Sequence, residues 1–259
     1  MKNKITSSKN FKSFLKKYIK TNEFLENESF RIPYIRDELT KDRFKFLFKK
    51  KITVQKSKNT TKQSFENNAD TKRMFYNQMS KRPDLISMPL SCMNSVIMNS
   101  YKMKVLSIGT RTEAEIFSLV NAGFNLKNID SIDLISYSPL IKLGDICNIK
   151  KKSDSFDLVV CGWTLEFVTN INKAVNEIKR VTKPRGIIAI GGMHHPKNYY
   201  STKNNIRKKN YDRKWHASIE NIFKLFGISH KDCLFKSEIN VKDKDTRGEV
   251  VVIFKNKKG

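Results

Sequence analysis

Three groups of side chains in this sequence have the types and spacing to do chemistry. The first is the stretch Ser107-Ile-Gly109-Thr110-Arg111-Thr112-Glu113, which follows a short apolar run ending at Ile108. Gly109 lets the backbone turn tightly and come close to a bound molecule, and the Arg111 guanidinium can grip a carboxylate of the protein or of a ligand. The second is Cys161-Gly-Trp163, with Glu166 three residues on, at the end of another apolar run. The Trp163 indole attracts a cation over its face, or packs in the core. Glu166 offers a carboxylate at a helix start, where exposure explains it as well. The third is the pair His194 and His195 after a further run. An imidazole there can act as a general base toward a hydroxyl, or can be a surface histidine beside Pro196.

These groups are positioned by alternating strands and helices that begin near Lys104. Strands are expected at Val105 to Ile108, Ile129 to Ile135, Ile141 to Ile146, Phe156 to Cys161 and Gly186 to Gly191. Between them, Thr112, Glu113 and Glu115 open a helix with Ile116, Leu119 and Val120 on one face and Gly123 at its end. A second helix, Ile171 to Val181, buries Ala174, Val175 and Ile178 and is halted by Pro184. Asp212 is read as the cap of a third, carrying Trp215, Ile219, Ile222, Phe223 and Phe226 and ending at Gly227. The runs Cys233 to Ile239 and Glu249 to Phe254 are joined by a loop alone, so an antiparallel hairpin at one end of the sheet is expected. The fold class is therefore α/β, a Rossmann-like seven-stranded sheet with a terminal antiparallel hairpin, which is not the layout of a dinucleotide dehydrogenase.

The order of elements and the local motifs resemble the class I S-adenosylmethionine-dependent methyltransferases, in the manner of methyltransferase type 11. The resemblance runs from Lys104 to about Phe254. It is carried by Asp154-Ser-Phe-Asp-Leu-Val-Val-Cys-Gly-Trp163, Leu165-Glu166-Phe-Val and Ala174 to Lys183 with Pro184-Arg185-Gly186. It implies S-adenosyl-L-methionine as cofactor and methyl transfer (a transferase) as the activity. It also implies cofactor contacts at Ser107, Gly109, Thr110, Arg111, Asp133, Asp145, Ile146, Cys161 and Trp163, with Glu166, His194 and His195 toward the acceptor. In Ser131-Ile-Asp133-Leu134, Asp133 is similar to the family's acceptor of both ribose hydroxyls, a task suited to an acceptor-only carboxylate; Asp130 takes its place if the register slips. By the same likeness Asp145 meets the adenine amino group and Ile146 packs on the ring. The chain departs from the pattern in the first loop, where Ser107 replaces an acid and Arg111 and Glu113 replace glycines. It departs again between Asp133 and Gly144, where a loop is expected instead of a helix.

Residues 1–102 read as a mainly helical region that caps the cleft or shapes the acceptor site, ahead of a cofactor-binding domain at 103–259. One stripe comprises Phe11, Phe14, Leu15, Tyr18 and Ile19; a second, after Thr40, comprises Phe44, Leu47 and Phe48; a third surrounds Phe75, Tyr76 and Met79. A polar loop is expected from Gln55 to Asp70.

The 259 residues carry a formal charge of +26, from 51 basic and 25 acidic residues. By segment it is +13 over residues 1–100, +4 over 104–200 and +8 over 201–259. The nearly balanced middle suits a small-molecule site, and the 40 Lys against 11 Arg suit an AT-rich coding sequence as much as a polyanion partner. The acceptor expected is a small or medium metabolite with a hydroxyl or amine, sugar-derived ones included. RNA or DNA methylation is the alternative, on the interleaved Tyr199, Tyr200, Lys203, Arg207, Lys208, Lys209, Tyr211, Arg213 and Lys214. A non-catalytic protein retaining the fold is the other, on the depleted glycines. The four cysteines include no C-x-x-C pair and no H-E-x-x-H is present, so neither a disulfide framework nor a metal site is expected. No apolar stretch reaches the roughly 18 residues of a membrane span, and a cytoplasmic location is expected.

Overall fold

The computed structural model describes residues 30–48, 52–61, 81–194, 217–239 and 248–257, with the single residues 13 and 215. Its centre is a seven-stranded sheet formed by β2 (Val105–Ile108), β3 (Ile129–Asp133), β5 (Lys142–Leu143), β6 (Phe156–Gly162), β7 (Thr182–His194), β8 (Cys233–Ile239) and β9 (Gly248–Lys255). Strand order is β5-β3-β2-β6-β7-β9-β8, the first five parallel and β9 antiparallel to both of its neighbours. The expected sheet and hairpin are therefore present. The central strands are apolar without alternation because both faces are covered. On one face α5 (Ile171–Val181) and α6 (Ile219–Phe226) pack over Leu106, Ile108, Val159 and Ile188. On the other, α2 (Asp84–Ser91), α3 (Asn94–Ile97) and α4 (Glu113–Asn121) pack over Val105, Leu158, Val160 and Ala189.

Local chemistry sets most of the boundaries. Gly123, at φ 101°, follows α4, and Gly227, at φ 64°, follows α6, both in the left-handed region that glycine adopts without a Cβ penalty. Helix α6 starts at Ile219, capped by Ser218, whose hydroxyl accepts the Asn221 amide at 3.0 Å. The cap assigned to Asp212 is corrected on that point, and Trp215 precedes the helix rather than riding on it. Helix α5 ends at Val181, and the chain enters β7 at once; β7 begins at Thr182, ahead of the expected Gly186.

The N-terminal region contributes α1 (Pro33–Phe48) and the short strand β1 (Thr53–Val54). Helix α1 begins well before the expected start after Thr40, because Pro33 suits the first helical position. Thr40 is internal, its hydroxyl donating to the Arg36 carbonyl at 2.7 Å. Phe44 meets Tyr137 edge-on with ring centroids 5.2 Å apart, and Phe30 stacks on Phe117 at 4.2 Å, so α1 packs on the sheet domain through aromatic rings. The stripes at Phe11 to Ile19 and around Phe75 to Met79 lie outside the described residues, as do Gln55 to Asp70 beyond position 61.

Between β3 and β5 no helix intervenes. The chain instead makes β4 (Ile135–Ser136), which pairs antiparallel with β1. Residues 53–61 then run along the carboxyl edge of the sheet. Gln55 donates its amide to Leu134 O at 2.8 Å, and at the far end the Thr61 amide reaches Phe167 O at 3.1 Å. A segment far away in sequence occupies the place of the missing crossover. No helix among the described residues is long and apolar enough to cross a membrane, and no cluster of three or more His, Cys, Asp or Glu among them is placed to hold a metal.

Candidate functional site

Register brings the three strand tips to one edge. Ile108 lies level with Ile132 on one side and Cys161 on the other, so the loops after β2, β3 and β6 emerge together. This is the switch point of the sheet, where ligands bind in open α/β folds, since β2 neighbours β3 one way and β6 the other.

The first loop turns at Gly109, φ 72°, whose amide donates to Ile132 O at 2.8 Å. A Cβ on Gly109 would lie 1.8 Å from Thr164 Oγ1, so glycine is demanded by close approach as well as by backbone conformation. Ser107 and Thr110 are buried and bonded to each other, Thr110 Oγ1 donating to Ser107 Oγ at 2.7 Å. A neutral hydroxyl pair thus satisfies one hydrogen bond internally at the tip of β2. Glu113 is also buried. Arg43 of α1 holds it in a two-pronged pair, Nε and Nη2 at 2.7 and 2.8 Å, and the Ser138 hydroxyl donates to it as well.

Asp133 ends β3 as expected. Its Oδ1 accepts the Ile135 amide at 2.9 Å, and burial pushes the carboxyl up to about 6 against that hydrogen bond and the charge of Arg111. Asp130, the alternative, is paired with two lysines. Lys142 and Lys151 bond it at 2.7 and 2.5 Å, and they hold it below the usual carboxylate range although burial works the other way.

Glu115 was not singled out from the sequence as a site residue, yet it stands among these groups. Its Oε1 accepts the amides of Arg111 at 3.0 Å and Thr112 at 3.3 Å. Burial pushes it up to about 7; Arg111 opposes that and Asp133 adds to it. The available signal was the Thr112-x-x-Glu115 spacing of a capping box, which points an N3 glutamate back toward the preceding loop.

Asp145 sits at the same edge but is already engaged. Ser57 Oγ and Asn59 Nδ2 donate to Oδ2 at 2.5 and 3.0 Å, and the Cys147 amide donates to Oδ1 at 2.8 Å. These bonds overcome burial and hold the carboxyl below its usual range. Ser57 and Asn59 escaped the sequence reading because nothing local links position 57 to position 145. Ile146 is buried in the core beside Ile108 and Ile132, and Cys161 is fully buried there, its thiol pushed up to about 12 by desolvation. Neither is the open wall expected of a ligand contact.

Trp163 holds the left-handed conformation at φ 53°, and its amide donates to Gly191 O at 2.7 Å. A cation does lie over the indole, but it is the protein's own Arg82, 5.0 Å from the ring centroid. Nε1 donates to Glu249, which Arg82 also pairs at 3.1 Å. Arg82 is thus the cation that the indole holds among the described residues. Glu166 is buried rather than exposed, accepting the Met193 amide at the end of β7. Next to it in the strand, His194 Nε2 is buried with no hydrogen-bond partner among the described residues. His195 lies outside them.

The donor set at this edge fits an adenosine bearing a charged sulfur. Asp133 offers an acceptor-only carboxylate at the tip where two ribose hydroxyls can donate to it, and the Arg111, Asp133 and Glu115 group leaves one negative charge for a cation.

Residues 120–190 match the methyltransferase domain family, a span from the end of α4 to β7 that leaves the first loop outside. No curated protein matches the sequence. Among solved structures, a chain of the Haloferax volcanii complex containing the Trm112 methyltransferase activator is similar over 71% of this chain and 93% of that one, with 12% identity and a TM-score of 0.53. A SAM-dependent methyltransferase from Thermotoga maritima is similar over 70% and 96%, with 16% identity and a TM-score of 0.42.

Proposed function

We propose that this chain, which has the class I S-adenosylmethionine-dependent methyltransferase fold and carries the methyltransferase domain match at 120–190, transfers a methyl group to a hydroxyl or amine of a small or medium metabolite. The observation that carries the acceptor side of this reading is His194 Nε2, buried at the end of β7 with no hydrogen-bond partner among the described residues. Leaving a polar atom so costs about 1–3 kcal/mol, a cost that a donor from the acceptor would remove.

S-adenosylmethionine supplies a methyl group activated by the positive charge of its sulfur. Gly109 lets the first loop approach it closely, and Asp133 accepts from the ribose. Residues 53–61, tied to Leu134 and Phe167, wall off the adenine side and exclude water. His194 Nε2 takes the acceptor's proton as its oxygen or nitrogen becomes a nucleophile. Arg82, Trp163 and Glu249 form a polar wall beyond β7 against which an acceptor packs. Holding the reactants together and dry supplies most of the rate.

Calorimetry with S-adenosylmethionine and its demethylated product tests the cofactor half. Binding is expected, and Asp133→Ala weakens it about tenfold or more, since the ribose hydroxyls lose their acceptor. A panel of hydroxyl and amine metabolites with isotope-labelled cofactor then identifies the acceptor. Absence of binding by both ligands at high micromolar concentration refutes the reading and favours the non-catalytic alternative. That alternative draws on the first loop, where Thr164 packs on Gly109 and Glu113 is committed to Arg43.

A further inference from the structure

The carboxylate of Glu115 does more than a helix cap needs. Its Oε1 alone accepts both loop amides, from Arg111 and Thr112, and a glutamine at this position would cap equally well. Oε2 has no hydrogen-bond partner among the described residues. Asp133 lies close enough to raise Glu115 further, and the same carboxylate is felt by Cys161 across the switch point. Two acids in one half-buried crevice repel each other, an arrangement retained only where something compensates it.

Among the described residues, few ionisable groups face Glu115. Arg111 on the preceding loop is the cation, Asp133 at the tip of β3 is the second acid, and Cys161 of β6 stays a neutral thiol. With both acids ionised the group carries one net negative charge. The cofactor on which the proposed function rests carries a positive sulfur before methyl transfer and a neutral one after it, while its amino-acid and adenosine parts are unchanged. Substrate and product differ at the sulfur alone, in the methyl group and the positive charge it brings.

We infer that Glu115 is the charge-selecting residue of this crevice, setting with Asp133 a net negative charge that favours the sulfonium form over the neutral product. Transfer then removes the attraction at the moment the product must leave. Arg111 keeps the acids together without cancelling both, and the burial that raises Glu115 and Asp133 makes the selection depend on pH. As pH falls through about 7 and then about 6, first Glu115 and then Asp133 becomes neutral and the preference declines.

The test measures affinity, not turnover. Dissociation constants of S-adenosylmethionine and of its demethylated product are determined by calorimetry for the full chain and for Glu115→Gln at pH 8. The substitution is expected to shift the ratio of the two constants about tenfold toward the product, which corresponds to about 1.4 kcal/mol. The product's own affinity moves less than threefold. For the unmodified chain the same ratio is measured at pH 8 and pH 6, and a shift in the same direction is expected; this arm decides the matter should Glu115→Gln not fold. If both ligands bind and the ratio is unchanged in the variant or with pH, the inference is overturned and the cofactor assignment stands. If neither ligand binds the unmodified chain, the cofactor assignment falls and this inference with it.

Discussion

Replacing Arg43 by Met tests what fastens the N-terminal helix to the first loop. Glu113 is fully buried, and Arg43 supplies two of its charge-assisted hydrogen bonds at 2.7 and 2.8 Å. Removing one partner of a buried pair leaves an uncompensated charge and costs about 3–5 kcal/mol. Here the Arg43 side chain is 39% exposed against 1% for Glu113, and the Ser138 hydroxyl still donates to the carboxylate after the change. Solvent reaching in from the arginine side lowers the expected loss to about 2–3 kcal/mol. For a chain of this size that is about 5–10 °C in Tm. Glu113→Gln alone costs less, because the freed guanidinium turns to water, and the double variant is more stable than Arg43→Met alone. The assay is a thermal melt of the four proteins, with amide hydrogen exchange at Gln55 and Thr61 as a local probe, since residues 53–61 follow α1 and share its attachment. A shift below about 2 °C for Arg43→Met, or additive single changes, refutes the claim that this pair holds α1 in place.

Further outcomes follow from the same geometry. Gly109→Ala forces a Cβ to within 1.8 Å of Thr164 Oγ1 at φ 72°, so a loss of more than about 2 kcal/mol is expected in urea unfolding; a loss below 0.5 kcal/mol shows that the turn is not so constrained. Stability also carries a pH signature. Glu115 and Asp133 are raised to about 7 and about 6, above the range near 4 where free carboxyls titrate, so the folded chain binds these protons more tightly than the unfolded one. Stability contributed by them is fully present below about pH 4 and declines as pH rises from there through about 6 and 7. In Glu115→Gln the decline across this window is smaller than in the unmodified chain, as read from Tm at closely spaced pH values; equal slopes contradict the assignment.

Much of the scaffold was legible because its determinants are local. The short apolar runs at Val105 to Ile108 and Phe156 to Cys161, the helix between Ile171 and Val181, and the glycine stops at 123 and 227 all stand where spacing placed them. The antiparallel end of the sheet followed from a sequence that offers only a loop, with no helical pattern, between the runs Cys233 to Ile239 and Glu249 to Phe254. Asp133 was legible for the same reason, as the last residue of a strand entering the edge where the tips gather.

What the linear chain could not reveal is which side chains are already committed to one another. Whether Ser107 faces a ligand depends on Thr110, Asp145 on Ser57 and Asn59 more than 80 residues away, and the Trp163 ring on Arg82 and Glu249. Periodicity reports burial and backbone form, whereas hydrogen-bond partnership is a property of distances across the fold. Residue types therefore determined the sheet, its edge and the acid at its tip, while tertiary packing alone decided that Glu115 joins that acid and that the aromatic ring has a cation of its own.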